Sequence, residues 1–154
     1  MPTTYNGVGT HYYGKSNPSS RQGACKHCGA VTRLDSHDTR LWFVIVFIPV
    51  IPLGKKRIID MCAGCKYHYV MDLAKWEEMQ QLGISSAKAE FEADSCAEKA
   101  IAYHQTLLNF HEQEAAKTFR GEMRRRFEMN AVMHAYLGDT LAEQGELYES
   151  NTAY

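Results

Sequence analysis

Two thiol pairs, Cys25-Lys26-His27-Cys28 and Cys62-Ala63-Gly64-Cys65, hold four of the five cysteines of this chain, with 33 residues between them. Two cysteines separated by two residues curl round one metal ion, and a second pair completes a tetrahedron. Four thiolates at about 2.3 Å is the preferred arrangement of structural zinc. Such a site is coordinatively closed, so it favours metal as scaffold over metal as catalyst. The spacing predicts one structural Zn2+ on Cys25, Cys28, Cys62 and Cys65.

The 154 residues suffice for one ordinary domain or two small ones, and 45% hydrophobic with 23% charged residues is a globular balance. The net charge of −1 conceals a polarity. Residues 1–71 carry nine Lys or Arg against three Asp or Glu, a net +6, whereas residues 85–154 carry seven against twelve, a net −5. Four zinc-bound thiolates would bring the first region to about +4, short of the basic stripe of a dedicated nucleic-acid binder. The amino terminus has no basic cluster followed by an apolar run, so no secretory signal is expected. Cysteines paired at metal spacing with one left over fit a reducing compartment, and the expected location is cytoplasmic, with a peripheral position at a membrane as a variant.

Three segments follow from composition and periodicity. Residues 1–22, rich in Gly, Ser, Thr, Asn and Tyr, read as an irregular arm. Residues 23–71 read as a β-rich metal module: Val31 to Leu34 alternates, Leu41 to Ile48 suits a strand buried on both faces, and Pro49 to Gly54 turns the chain back. Leu41 to Leu53 is 13 residues with two prolines, too short for a transmembrane helix. Burial against the later helices is the plain expectation for it; docking on a partner or membrane surface is the other. From residue 72 the period becomes helical, with Leu73, Trp76, Met79 and Leu82 before a stop at Gly83, and further helices through Phe91 to Leu108, Ala115 to Phe127 and Val132 to Leu141. The fold class is α+β: a small zinc ribbon followed by a helical tail over 72–154.

Ala135 to Glu149 resembles the first helix and turn of a tetratricopeptide repeat, with Gly138 admitting a neighbouring helix and Gly145 ending its own. One period earlier, Ala115 and Phe119 stand where such repeats place a small residue and an aromatic. The central block also resembles a family of small zinc-ribbon proteins. Its marks are two CxxC knuckles flanking Thr39-Arg40-Leu41-Trp42-Phe43 and Phe47-Ile48-Pro49-Val50-Ile51-Pro52-Leu53-Gly54-Lys55, with Gly9 to Lys15 as lead-in. The resemblance covers roughly residues 5–71. It implies a metal-held fold and says little of activity. Ala63 departs from the proline common there, which predicts a slightly looser second knuckle.

Other reactive side chains have plainer readings. His27 and His68 border the knuckles as surface or supporting residues, and Cys96 reads as a small buried hydrophobe. His104 and His111, followed by Glu112 and Glu114, read as a solvated helix face. Arg124-Arg125-Arg126 reads as a basic helix C-terminus. No catalytic residue, nucleotide-binding motif or small-molecule substrate is indicated. The expectation is a non-enzymatic structural or adaptor protein with a protein partner or larger complex. One alternative is a peripheral subunit of a membrane-associated complex docking through Leu41–Leu53. A second is a nucleic-acid-binding ribbon using Arg33, Arg40, Lys55, Lys56 and Arg57.

Overall fold

The computed structural model describes residues 2–143, and the chain divides into two compact units between Glu77 and Glu78. The first is an antiparallel meander of β1 (Thr4–Tyr5), β2 (Val8–Ala24), β3 (Val31–Ile45), β4 (Ile48–Cys62) and β5 (Tyr69–Asp72), each strand paired to the next. Four helices follow: α1 (Leu73–Ala93), α2 (Ala97–Asn109), α3 (Gln113–Arg126) and α4 (Ala131–Glu143). The fold class is therefore α+β.

The supposed irregular arm forms β1 and most of β2. Gly9 to Tyr13 pairs with Val44 to Arg40, and Arg21 to Ala24 pairs with Leu34 to Val31. The glycines and polar residues that argue against a strand are absorbed at irregularities between Tyr13 and Ser19, where Gly14 and Asn17 take φ of 75° and 47°. Much of β2 is exposed, so no buried face imprints an apolar alternation on it.

The strand breaks also move. Pro49 to Gly54 does not turn the chain but lies within β4, and the turn is the two-residue step Val46–Phe47. Beyond β5, which reaches only Lys56 to Ile59, this part of β4 is a sheet edge, where proline is tolerated. Register shifts at Leu41/Trp42 and Phe43/Val44 take up the extra residues as bulges. Val46 and Phe47 have φ of 50° and 61°, the left-handed pair that a type I′ hairpin demands and that Asn-Gly normally fills. Neighbouring groups hold them there. The Phe47 amide donates to the Gly7 carbonyl at 3.1 Å, and the Tyr13 hydroxyl donates to the Phe47 carbonyl at 2.5 Å. Gly7, in the matching Asn6–Gly7 turn, suits its place, with φ of 79° and a position where a Cβ would lie a tight 3.1 Å from the Val46 Cα.

The interior of this unit is small and unusually polar. Leu34, Val44, Ile58 and Trp76 are buried, but so are Ser36, His37, Asp38, Thr39 and Arg57. The Arg57 guanidinium donates to Asp38 Oδ1 at 2.6 Å, Asn17 Nδ2 donates to Asp38 Oδ2 at 2.7 Å, and the guanidinium carbon stands 5.1 Å from the Trp76 ring centre. With few apolar side chains to bury, the sheet needs another source of stability.

The helical unit has a conventional core. Ala100 and Leu107 of α2, Ala116, Phe119 and Met123 of α3, and Met133, Leu137 and Leu141 of α4 recur at helical spacings and are all buried. Phe91 of α1 meets Phe119 edge-on with centroids 5.2 Å apart. Gly83 does not stop α1, which runs on for ten further residues to Ala93; a Cβ there would come within 2.7 Å of the Phe110 ring, so the residue serves close packing. The chain instead breaks at Asp94 to Cys96, and Cys96, half-buried, occupies the N-cap position of α2. Ala115 is exposed and Ala116 buried, one position off the expected repeat phase. Gly138 is buried, as close approach of a neighbouring helix requires, while Gly145 and the residues beyond it lie outside the described chain.

Candidate metal centre

The meander explains why the two cysteine pairs meet. The links β2–β3 and β4–β5 fall at the same end of an up-and-down sheet, so Cys25–Ala30 and Cys62–Tyr67 become neighbours while β3–β4 turns at the other end. Leu34 pairs with Cys62, which sets the offset between the two loops.

The loops are built alike. The Cys25 amide donates to the Ala30 carbonyl and the Gly29 amide to the Cys25 carbonyl, at 2.9 and 2.8 Å. In the second loop the Cys62 amide donates to Tyr67 and the Lys66 amide to Cys62, at 2.9 and 3.0 Å. The fifth residue of each takes a left-handed φ, 72° at Gly29 and 62° at Lys66. The first was legible as glycine; nothing in the sequence marks the second. Ala63, where a proline is common in the resembling proteins, adds a contact of its own to the second knuckle. Its amide donates to the Arg33 carbonyl at 3.1 Å, a bond proline cannot make.

The four sulfurs lie within 4.8 Å of one another, with Cys25 to Cys65 at 3.7 Å and Cys28 to Cys62 at 3.8 Å. A tetrahedral ion with bonds of about 2.3 Å separates its ligands by about 3.8 Å, so the spacing suits one zinc. It is far beyond the roughly 2.05 Å of a disulfide. Backbone amides aim at the sulfurs: His27 N lies 3.4 Å from the Cys25 Sγ and Cys65 N 3.5 Å from the Cys62 Sγ. The amides of Cys28 and His27 pull the Cys25 thiol down to about 6, and those of Cys65 and Gly64 lower Cys62 against the effect of burial. At Cys65 the Tyr67 amide acts downward but is outweighed by burial and by contact with Cys62, Cys25 and Cys28, leaving the thiol at about 12. The first thiolates form readily and the last is resisted by its neighbours. A cation at the centre removes that resistance.

His27 and His68 stay outside this cluster. His27 stacks on Tyr67 with centroids 4.7 Å apart, and His68 Nδ1 lies 2.9 Å from the Lys66 carbonyl. His104 does not lie on a solvated face. It is fully buried, with Nδ1 2.7 Å from the Tyr136 hydroxyl. His111 takes φ of 63° and ends α2 in a Schellman turn, its amide donating to Leu108 and that of Glu112 to Leu107. Three of the five basic residues suggested for nucleic acid are engaged: Arg33 with Asp35, Lys56 with Asp72, and Arg57 with Asp38. Arg124 to Arg126 close the last turn of α3, in keeping with a dipole role.

The opposite end of the sheet is apolar and open. Val46, Phe47 and Ile48 are 68%, 59% and 65% exposed, and every residue from Ile48 to Lys55 of β4 is exposed. Within Leu41 to Leu53, Val44 is buried, Leu41 to Phe43 are half-buried and Ile45 to Leu53 are exposed. Among the described residues no helix is long and apolar enough to cross a membrane. Comparison with protein-family models, curated proteins and solved structures gives no match to this chain.

Proposed function

We propose that this chain is a non-enzymatic docking protein, in which a zinc ribbon with four cysteine ligands holds a long β-hairpin and offers its apolar end to a partner. The observation that carries the reading is the exposed run from Ile45 to Leu53, borne on a sheet whose own core is too small to secure it. Monomeric proteins rarely leave so many adjoining large apolar side chains in water unless they bind something. One structural Zn2+ on Cys25, Cys28, Cys62 and Cys65 supplies the stability the core lacks, and the closed thiolate set supports no catalytic role. The resemblance to small zinc-ribbon proteins supports the same assignment, and reduced thiols suit a cytoplasmic location. The helical unit, with its repeat-like spacing, serves as a second contact surface in a larger complex. A nucleic-acid role is disfavoured because Arg33, Lys56 and Arg57 are already paired.

The test is recovery of bound material from native cells by the full-length protein and by Val46→Asn/Phe47→Gly, which removes the apolar tip and installs the favoured turn sequence. The reading expects components retained by the parent and lost by the variant. Identical recoveries would refute it.

A further inference from the structure

We infer that the occupant of the apolar hairpin end is a lipid surface bearing anionic headgroups; this deepens the docking reading and rests on it. The cross-strand register sorts the side chains of this end into layers. Val46 and Phe47 form the tip, followed by Ile45 with Ile48, Val44 with Pro49, and Phe43 with Ile51. Next comes an aromatic layer, in which Trp42 pairs with His11 and Leu41 with Tyr12. Tyr13, whose hydroxyl reaches back to the Phe47 carbonyl, pairs with Arg40, and Arg40 with Lys55 on its other side, so cations appear at the next step of the register. From Leu41 to Gly54 the hairpin carries no charge at all. Apolar tip, then Trp and Tyr, then Lys and Arg is the order in which acyl chains, interface and anionic headgroups follow one another.

Three further observations favour lipid over another protein chain. Ile48 to Lys55 is exposed throughout although successive side chains point to opposite faces. A lipid layer surrounds such a tip on both faces, whereas a docking groove covers one. The free edge of β4 carries Pro49, Pro52 and two bulges, features that hinder strand addition by a partner or a second copy. Charge agrees as well, since residues 1–71 are net basic and neither Arg40 nor Lys55 has an acidic partner among the described residues. Insertion is shallow. Among the described residues β4 has no outer neighbour from Ile48 to Lys55, and its unpaired backbone groups must stay hydrated, so the tip enters only the roughly 5–10 Å of the headgroup–acyl boundary.

The experiment uses purified full-length protein with vesicles of phosphatidylcholine, with and without phosphatidylserine, read by co-sedimentation and tryptophan emission. The expected result is binding to the anionic vesicles, weakened by added salt, with a blue shift that is lost in Trp42→Phe. Val46→Asn/Phe47→Gly should weaken binding by at least about tenfold, and Arg40→Glu/Lys55→Glu should abolish the preference for phosphatidylserine. Metal content and thermal midpoint show that each variant is folded. Equal binding by parent and tip variant, or no binding by the parent, overturns the inference. If the parent ignores vesicles but still retains a protein through its tip, only the lipid assignment fails; if both are lost, the docking reading fails with it.

Discussion

His104 is fully buried beside Tyr136, and the chemistry of that position sets a pH dependence for the helical unit. Burial, and then the Arg120 charge, push its pKa down to about 4, against an opposing contribution from the Ala116 backbone. The unfolded chain should titrate near the ordinary value of about 6.5. Between the two the unfolded state binds more protons, so the contribution of His104 is complete above that value and is lost as pH falls toward 4. The change is at most about 3 kcal/mol. His104→Gln should flatten this dependence in urea unfolding followed by helical circular dichroism; an unchanged slope would contradict it. Asp38 presents the complementary case. Removing its carboxylate in Asp38→Ala leaves the Arg57 guanidinium in a buried site without that counter-charge, and should destabilise the sheet by about 3–5 kcal/mol in denaturant titration. The burial of His104 was open to a reading of helical period, whereas that of Arg57 was not. His104 was read as solvated although it lies four residues after Ala100 and three before Leu107, on the apolar face of α2, and Arg57 ends an apparently solvated Lys-Lys-Arg run.

At the level of elements, the hairpin turn sets local preference against tertiary demand. Val46 and Phe47 occupy left-handed conformations that disfavour β-branched and aromatic residues. Bonds from Phe47 to Gly7 and from Tyr13 to Phe47 hold them there. Replacing the pair by Asn-Gly should raise the stability of the sheet by about 1–2 kcal/mol, measured by thermal or denaturant unfolding. A destabilised variant would show that the apolar tip contributes to folding rather than to docking alone. The strand positions themselves were partly readable. Leu41 to Ile48 announces a strand through its β-branched and aromatic run, whereas Ser16 to Ser20 does not. The prolines mislead because an exposed edge strand accommodates them at bulges. Gly83 misleads for the opposite reason: it reads as a helix stop but is the hollow that admits Phe110.

Across the whole molecule, two units with separate cores should respond differently to loss of metal. Among the described residues, Cys25, Leu34 and Cys62 alone form the apolar cluster beside the knuckles, so a metal on the four cysteines would carry much of the sheet's stability, while the helices carry nine buried residues of their own. Chelation, or Cys62→Ser, should melt the β signal and release about one zinc per chain while the helical signal persists. A metal-free chain with an intact sheet would overturn the assignment. By itself the sequence determined the pairing of four cysteines at metal-binding spacing and the α+β order, because CxxC spacing and helical periodicity are local and survive without a fold. Only the tertiary structure decided that the glycine-rich start joins the sheet, that Arg57 is interior, and that the most apolar segment faces water. Those outcomes depend on which strand lies beside which, and pairing across a meander leaves no periodic mark on a strand that is exposed on both faces.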